Sequence, residues 1–394
     1  MLFDPAAHER LTDRPWSEAG AHAAIGAIVA DAEGAFDAQA LWPAHPRDEE
    51  EGPLPAVTSL YLGASGVVWA LAELERLGAV ELRRSWEATA VGLYERYLAA
   101  PDFGEAVPSL WMGEAGILLV AHRLAPARWQ EERLLACVRA NVANPSWELM
   151  WGSPGTMLAA QVMHERTCAE VWAEAWGESA ERLMREWRDV VWQQDLYGRA
   201  VHVLGPAHGF AGNVYVLARG SRLLADAGRA ELEARAVAVA LEYARRDRDG
   251  AQWPPAVEQP GGSSGGVRTQ WCHGAPGIVA SLAGLAPGDR RFTDVLVAGG
   301  ELTWRAGPLA KGPGLCHGTA GNGYAFLKLF ARTGDERWLA RARAFAMHAA
   351  EQVERMRGAH GRGRYTLWTG DLGTALYLWS CVTATAAVPT LDSL

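Results

Sequence analysis

Two cysteines in this chain stand at the same place in a repeated motif. Trp271-Cys272-His273-Gly274-Ala275-Pro276-Gly277 and Leu315-Cys316-His317-Gly318-Thr319-Ala320-Gly321 both contain Cys-His-Gly-x-x-Gly. Matched register brings the thiols together if the units stack. Cys272, Cys316 and the adjacent His317 then make a Cys2His set with an open fourth position, the pattern of a catalytic rather than a structural zinc site. By symmetry alone His273 competes with His317 as third ligand. The plain alternative is two buried thiols and two core histidines. A zinc ion with two thiolate ligands is a weak electrophile. It would lower the pKa of a substrate thiol from its free value of about 8.5 while leaving the sulfur nucleophilic. Sulfur attack on an electrophilic carbon suits such a centre better than hydrolysis.

Other residues stand near these motifs. His208, in His208-Gly209-Phe210-Ala211-Gly212-Asn213, repeats the register of His317 and could relay a proton. A core histidine bonded to backbone is the alternative. Arg268, four residues before Cys272, could hold a carbonyl or a developing enolate, or be a surface cation. Glu148, four before Gly152, faces the same region or is an ordinary charge at a helix start. Asn213 and Asn322 follow the second glycine of their units and are expected to bond nearby backbone. Cys137, Cys168 and Cys381 read as small apolar fillers within helices.

The elements that must position these residues are repeats. Gly-x-x-Gly recurs seven times, opening at Gly63, Gly113, Gly152, Gly209, Gly274, Gly318 and Gly370. Each opens an apolar helical run, at about 64–77, 114–124, 154–165, 210–226, 276–286, 320–333 and 372–387. Charge-bearing helices alternate with them at about 80–99, 129–143, 169–190, 229–247, 289–306 and 335–356, and 18–35 adds one more. Fourteen helices in seven pairs follow, apolar members inside and amphipathic ones outside. Nothing alternates long enough for a sheet. Glycine at each inner start suits crowded helix ends converging on a ring. The residues just before each first glycine should line one rim, with polar chemistry in units four to six and aromatic or apolar walls elsewhere. The Gly/Pro/Ser-rich loop from Arg248 to Gln270 feeds that rim as a mobile lid or a plain surface loop.

Composition narrows the function class. A formal charge of -9 over 394 residues argues against nucleic-acid or anionic-membrane partners. No uncharged apolar stretch reaches the roughly 18 residues of a membrane span, and the N-terminus does not read as a secretory signal. Five scattered cysteines fit a reduced cytoplasm rather than a disulfide framework. The expectation is a single domain over residues 1–394, with 1–15 as a loose N-terminal arm.

The Trp271–Gly277 and Gly314–Gly318 motifs, with Ala207-His208-Gly209-x-Ala211-Gly212, resemble the lanthionine synthetase C-like family over nearly the whole chain. The resemblance implies an all-α, double-layered α/α barrel of seven inner and seven outer helices holding one Zn2+. Carried over by position, Cys272, Cys316 and His317 match the zinc ligands, His208 the catalytic histidine of bacterial peptide cyclases, and Arg268 their arginine. Those cyclases add peptide cysteines to dehydroalanine or dehydrobutyrine; similar eukaryotic members join glutathione to such residues in proteins. This chain departs from the cyclases at His273, where they carry Tyr, and at Glu148, where they carry Asp, and is eukaryotic-like at both. The gap from Gly155 to Gly209 leaves little room for the small β insertion some cyclases have. No dehydratase or kinase portion is recognised, so a separate enzyme is expected to make the dehydroamino acid.

The reading is a zinc enzyme that adds a thiol, from a peptide Cys or glutathione, to a dehydroamino acid in a peptide or protein. The alternatives are a prenyltransferase-like barrel, which closes with six pairs, and a non-catalytic zinc toroid that binds peptides or proteins such as kinases.

Overall fold

A computed structural model describes residues 1–48, 56–188, 190–257 and 266–394. Among the described residues, fourteen α-helices alternate between two concentric layers. The outer ones are α1 (Glu18–Gly34), α3 (Glu87–Ala99), α5 (Arg128–Asn141), α7 (Glu170–Glu186), α9 (Asp226–Glu242), α11 (Arg290–Ala306) and α13 (Glu336–His360). The inner ones are α2 (Ala64–Arg76), α4 (Glu114–Leu124), α6 (Ser153–Thr167), α8 (Phe210–Arg219), α10 (Ala275–Leu282), α12 (Thr319–Thr333) and α14 (Asp371–Thr383). Seven hairpins, rather than six, separate this barrel from the prenyltransferase-like alternative.

Outer and inner helices start differently. Ser17, Asp289 and Asp335 cap outer helices by accepting Gly20 N, Phe292 N and Arg337 N. Every inner helix has glycine as its N-cap and no side-chain cap. In five of them the first N–H goes instead to a carbonyl of the preceding loop, which folds back over the helix start. Ala64 N donates to Val57 O, Glu114 N to Val107 O, Phe210 N to Val203 O, Thr319 N to Gly312 O and Asp371 N to Arg364 O. A loop so close leaves no room for Cβ at the second glycine. A methyl at Gly277 would stand 1.8 Å from Trp271 O, and one at Gly321 1.7 Å from Leu315 O.

The second glycines also close the ring. Leu60 packs on Gly116, Leu110 on Gly155, Leu149 on Gly212, Pro206 on Gly277, Trp271 on Gly321 and Leu315 on Gly373; Leu367 returns to Gly66. The expected crowding between inner helices is therefore present, joined by the loop carbonyl. At the centre Tyr61, Trp111, Trp271 and Trp368 meet as one buried cluster, with Trp111–Trp368 centroids 4.6 Å and Trp271–Trp368 4.7 Å apart. Beneath them the segment 388–394 plugs the axis, and Trp368 Nε1 donates to Thr390 Oγ1 at 3.1 Å.

Several expectations change. Residues 1–15 are tied down: His8 Nδ1 bonds Gly307 O at 2.9 Å, and Glu9 accepts from His348 at 2.7 Å. The segment from 80 is not helical until Glu87, because Arg83 N is drawn to Glu33 Oε1. The last helix stops at Thr383, where Ala384 takes φ 53. Cys168 is an exposed, left-handed cap after α6 (φ 56), not a filler, whereas Cys137 and Cys381 are buried. Two short antiparallel hairpins were not expected: β1 (Gln194–Leu196) with β2 (Arg199–Val201), and β3 (Arg245–Arg246) with β4 (Ala251–Gln252). The first lies in the gap read as leaving little room for β structure.

Candidate metal centre and active site

Backbone hydrogen bonds running from unit to unit set the rim. Cys272 N donates to Cys316 O at 3.0 Å, Cys316 N to Trp368 O at 2.9 Å, Trp368 N to Tyr61 O at 3.4 Å and Tyr61 N to Trp111 O at 3.0 Å. The two cysteines are thus neighbours because their units are neighbours. Gly274 has φ 101, a left-handed value glycine tolerates. It lets the chain turn from Cys272 and His273 into α10, whose first N–H, on Ala275, is taken by Gln252 Oε1 at 2.6 Å.

Donor atoms of Cys272, Cys316 and His317 all lie within 4.8 Å of one another, the two cysteines buried and His317 half-buried. Tetrahedral zinc with Zn–S of about 2.3 Å and Zn–N of about 2.0 Å wants donors roughly 3.5–3.8 Å apart, so the residues fit the ion. Soft thiolates favour zinc over calcium or magnesium. A hydrogen bond from Cys316 holds the Cys272 pKa well below the ordinary thiol range, and the same contact with burial pushes Cys316 up. Gln270 Nε2 donates to Cys272 Sγ at 3.0 Å, and the Tyr61 hydroxyl faces the Cys316 sulfur. Gln270 was not foreseen, since nothing in its type or spacing marks it.

Beside the sulfurs stands an acid–base pair. Glu148 is fully buried and accepts Met150 N at 2.9 Å, Trp151 N at 2.6 Å and His208 Nδ1 at 2.9 Å. Burial alone would lower the His208 pKa, but the hydrogen bond and charge of Glu148 outweigh it and raise the value above 6.5. With Nδ1–H on Glu148, Nε2 is the ring nitrogen not engaged by that carboxylate. His273 stacks near His208, centroids 6.3 Å apart. Burial, with the positive neighbours His208, Arg268 and His317, depresses its pKa despite Cys272. Its Nδ1 is buried without a hydrogen-bond partner. The exposed Arg268 side chain is near enough for its charge to act on His273. Asn213 and Asn322 bond the Trp147 and Thr269 carbonyls, each at 2.8 Å, as expected.

Aromatic rings continue outward from His208. Tyr197 packs edge-on against it at 6.5 Å, Trp151 Nε1 donates to the Tyr197 hydroxyl at 3.2 Å, and Phe103 meets Trp151 at 5.3 Å. The lid expectation falls partly on residues 258–265, outside the described residues. Before them, residues 251–254 are buried rather than lid-like.

Residues 55–392 match the family described as lanthionine synthetase C-like protein. The glutathione S-transferase LANCL1 of Danio rerio is 37% identical over 123 residues, 30% of this chain and 29% of that protein. The LanC-like protein GCL1 of Arabidopsis thaliana is 34% identical over 184 residues, 44% of this chain and 39% of that protein. These matches span well under half the length of either relative. Nisin cyclase, a solved structure, superposes with a TM-score of 0.59 over 83% of this chain and 93% of its own, at 16% identity, which shows a shared fold.

Proposed function

The chain belongs to the lanthionine synthetase C-like family, and from that premise we propose that it is a zinc-dependent enzyme adding a thiol to a dehydroalanine or dehydrobutyrine residue, forming a thioether. The observation that carries this reading is the convergence of Cys272, Cys316 and His317 beside the Glu148–His208 pair. Zinc held by those three residues would supply thiol activation near neutral pH.

The chain's own residues supply the rest. When the thiolate sulfur bonds to Cβ of the dehydro residue, the π electrons move toward the carbonyl oxygen and Cα must gain a proton. The proton lost by the thiol balances the one gained at Cα, and nothing leaves. His208, held by Glu148 through Nδ1, delivers a proton from Nε2. Neutral His273, with an unpartnered ring nitrogen, and the Arg268 cation stabilise the oxygen where charge develops.

Glutathione is the favoured thiol donor. The similarity to a protein named glutathione S-transferase supports it, as do His273 and Glu148, where the chain departs from the cyclases. Exposed cations at the mouth suit its carboxylates: Arg268, and Lys311, whose charge reaches Cys316. A separate dehydratase or kinase would prepare the peptide or protein substrate. A cytoplasmic setting suits the free thiols, and among the described residues no helix is long and apolar enough to cross a membrane.

The test is a cysteine-free dehydroalanine peptide with and without glutathione. A glutathione adduct formed faster than the uncatalysed background supports addition between molecules. Reaction only of peptides with an internal Cys, losing a free thiol but no mass, would make the chain a cyclase. His208→Ala should keep metal and fold yet slow the reaction by roughly 10²-fold or more.

A further inference from the structure

We propose that Tyr197, with Trp151 and Phe103, forms a preformed aromatic shelf beside His208 that takes an aromatic or large apolar side chain of the substrate peptide, one or two residues from the reacting position. The proposal rests on the preceding reading for the substrate being a peptide. It adds what that peptide must carry.

The turn is the first observation. Leu196 pairs with Arg199, so the hairpin loop is two residues, Tyr197 and Gly198, at φ 53 and 74. Two left-handed residues make a type I′ turn, for which Asn-Gly, Asp-Gly or Gly-Gly is the relaxed choice. A bulky aromatic at the first position works against the backbone, and such strain gathers at functional sites. Nor does burial compensate, because Tyr197 is 77% exposed. Local folding and core packing therefore both fail to explain this ring.

Its neighbours are the second observation. Phe103 is also exposed and Trp151 half-buried, so three adjoining rings face solvent at the edge of the proposed active site. Single exposed hydrophobic residues are ordinary, whereas a contiguous patch at a site's edge is a binding surface. The shelf is mounted rigidly. Asp195 N donates to Pro145 O at 3.0 Å, and buried Gln194 accepts Val203 N at 2.9 Å. Trp151 N also donates to Glu148, the carboxylate that orients His208. Trp151 of the shelf and Glu148 thus share one loop. With Tyr197 centred 6.5 Å from the His208 ring and successive Cα atoms about 3.8 Å apart, the side chain on the shelf belongs to a residue flanking the one that reacts.

Binding tests this without turnover. Fluorescein-labelled peptides carry Ala at the reacting position and either Phe or Gly beside it, and fluorescence anisotropy gives their affinities. The wild type should prefer the Phe peptide by about 10-fold. Tyr197→Asn places the residue the turn favours, so the hairpin is kept, and the preference should fall below about twofold. Tyr197→Phe, which keeps the ring, should retain it. The shelf is refuted if the wild type shows no preference, if it binds neither peptide, or if Tyr197→Asn retains the preference or weakens both peptides equally. An intact preference without thioether formation in the dehydroalanine assay would sink the proposed reaction and leave the shelf standing.

Discussion

Glu148 has no exposed surface, and its carboxylate is kept there by two backbone N–H groups and the His208 ring. A buried carboxylate so placed governs its partner's proton. Glu148→Gln keeps an acceptor but removes the charge that holds the His208 pKa above 6.5. If His208 donates as the imidazolium, the rate at saturating substrate falls as pH rises through that raised pKa. In Glu148→Gln this basic limb should move to lower pH, read from initial rates across pH; an unmoved limb would separate the pair from proton transfer. Cys272→Ala and Cys316→Ala should each lose the metal, and full zinc in both variants would sink the site. The sequence made the two cysteines and an adjacent histidine legible, because register in a repeat becomes proximity in a ring, but symmetry left His317 and His273 equal until the structure set His317 beside the sulfurs. The sequence did not reveal the Glu148–His208 contact, which joins two units, or Gln270 and Tyr197, whose roles come from position alone.

At the scale of elements, the glycines discriminate between helices. A Cβ at Gly277 meets Trp271 O at 1.8 Å, whereas one at Gly177, inside α7, meets nothing within 4 Å. Gly277→Ala should therefore destabilise the fold by about 3 kcal/mol or more. Gly177→Ala should stabilise it by about 0.5–1 kcal/mol through backbone entropy. Denaturant midpoints compare the two, and equal shifts would contradict this account of the motif. All seven units could be found in the sequence because the motif marks a steric requirement repeated with the fold. Short hairpins could not be: two or three residues per strand carry no periodic signal. The late start of α3 was equally hidden, since its cause is a hydrogen bond from Arg83 to Glu33, on a different hairpin.

The whole molecule is a ring that closes through its last unit, where Leu367 packs on Gly66 and Trp368 N reaches Tyr61 O. We propose that it folds as one cooperative unit, and the metal centre makes this testable. Truncation after Gly334 keeps Cys272, Cys316 and His317 but removes α13, α14 and Trp368. Cys316 N loses the Trp368 carbonyl that fixes it, and the aromatic cluster loses the ring that Trp111 and Trp271 both contact. The core faces of α12 and α2 would then be open to water, and an array designed to close has no polar cap for them. The fragment should be insoluble or molten, with native-like helix content, no cooperative melt and no stoichiometric zinc. Circular dichroism with metal analysis reads all three. A soluble fragment that melts cooperatively and holds one zinc per chain would show that closure is unnecessary and that the three ligands find one another within units five and six alone.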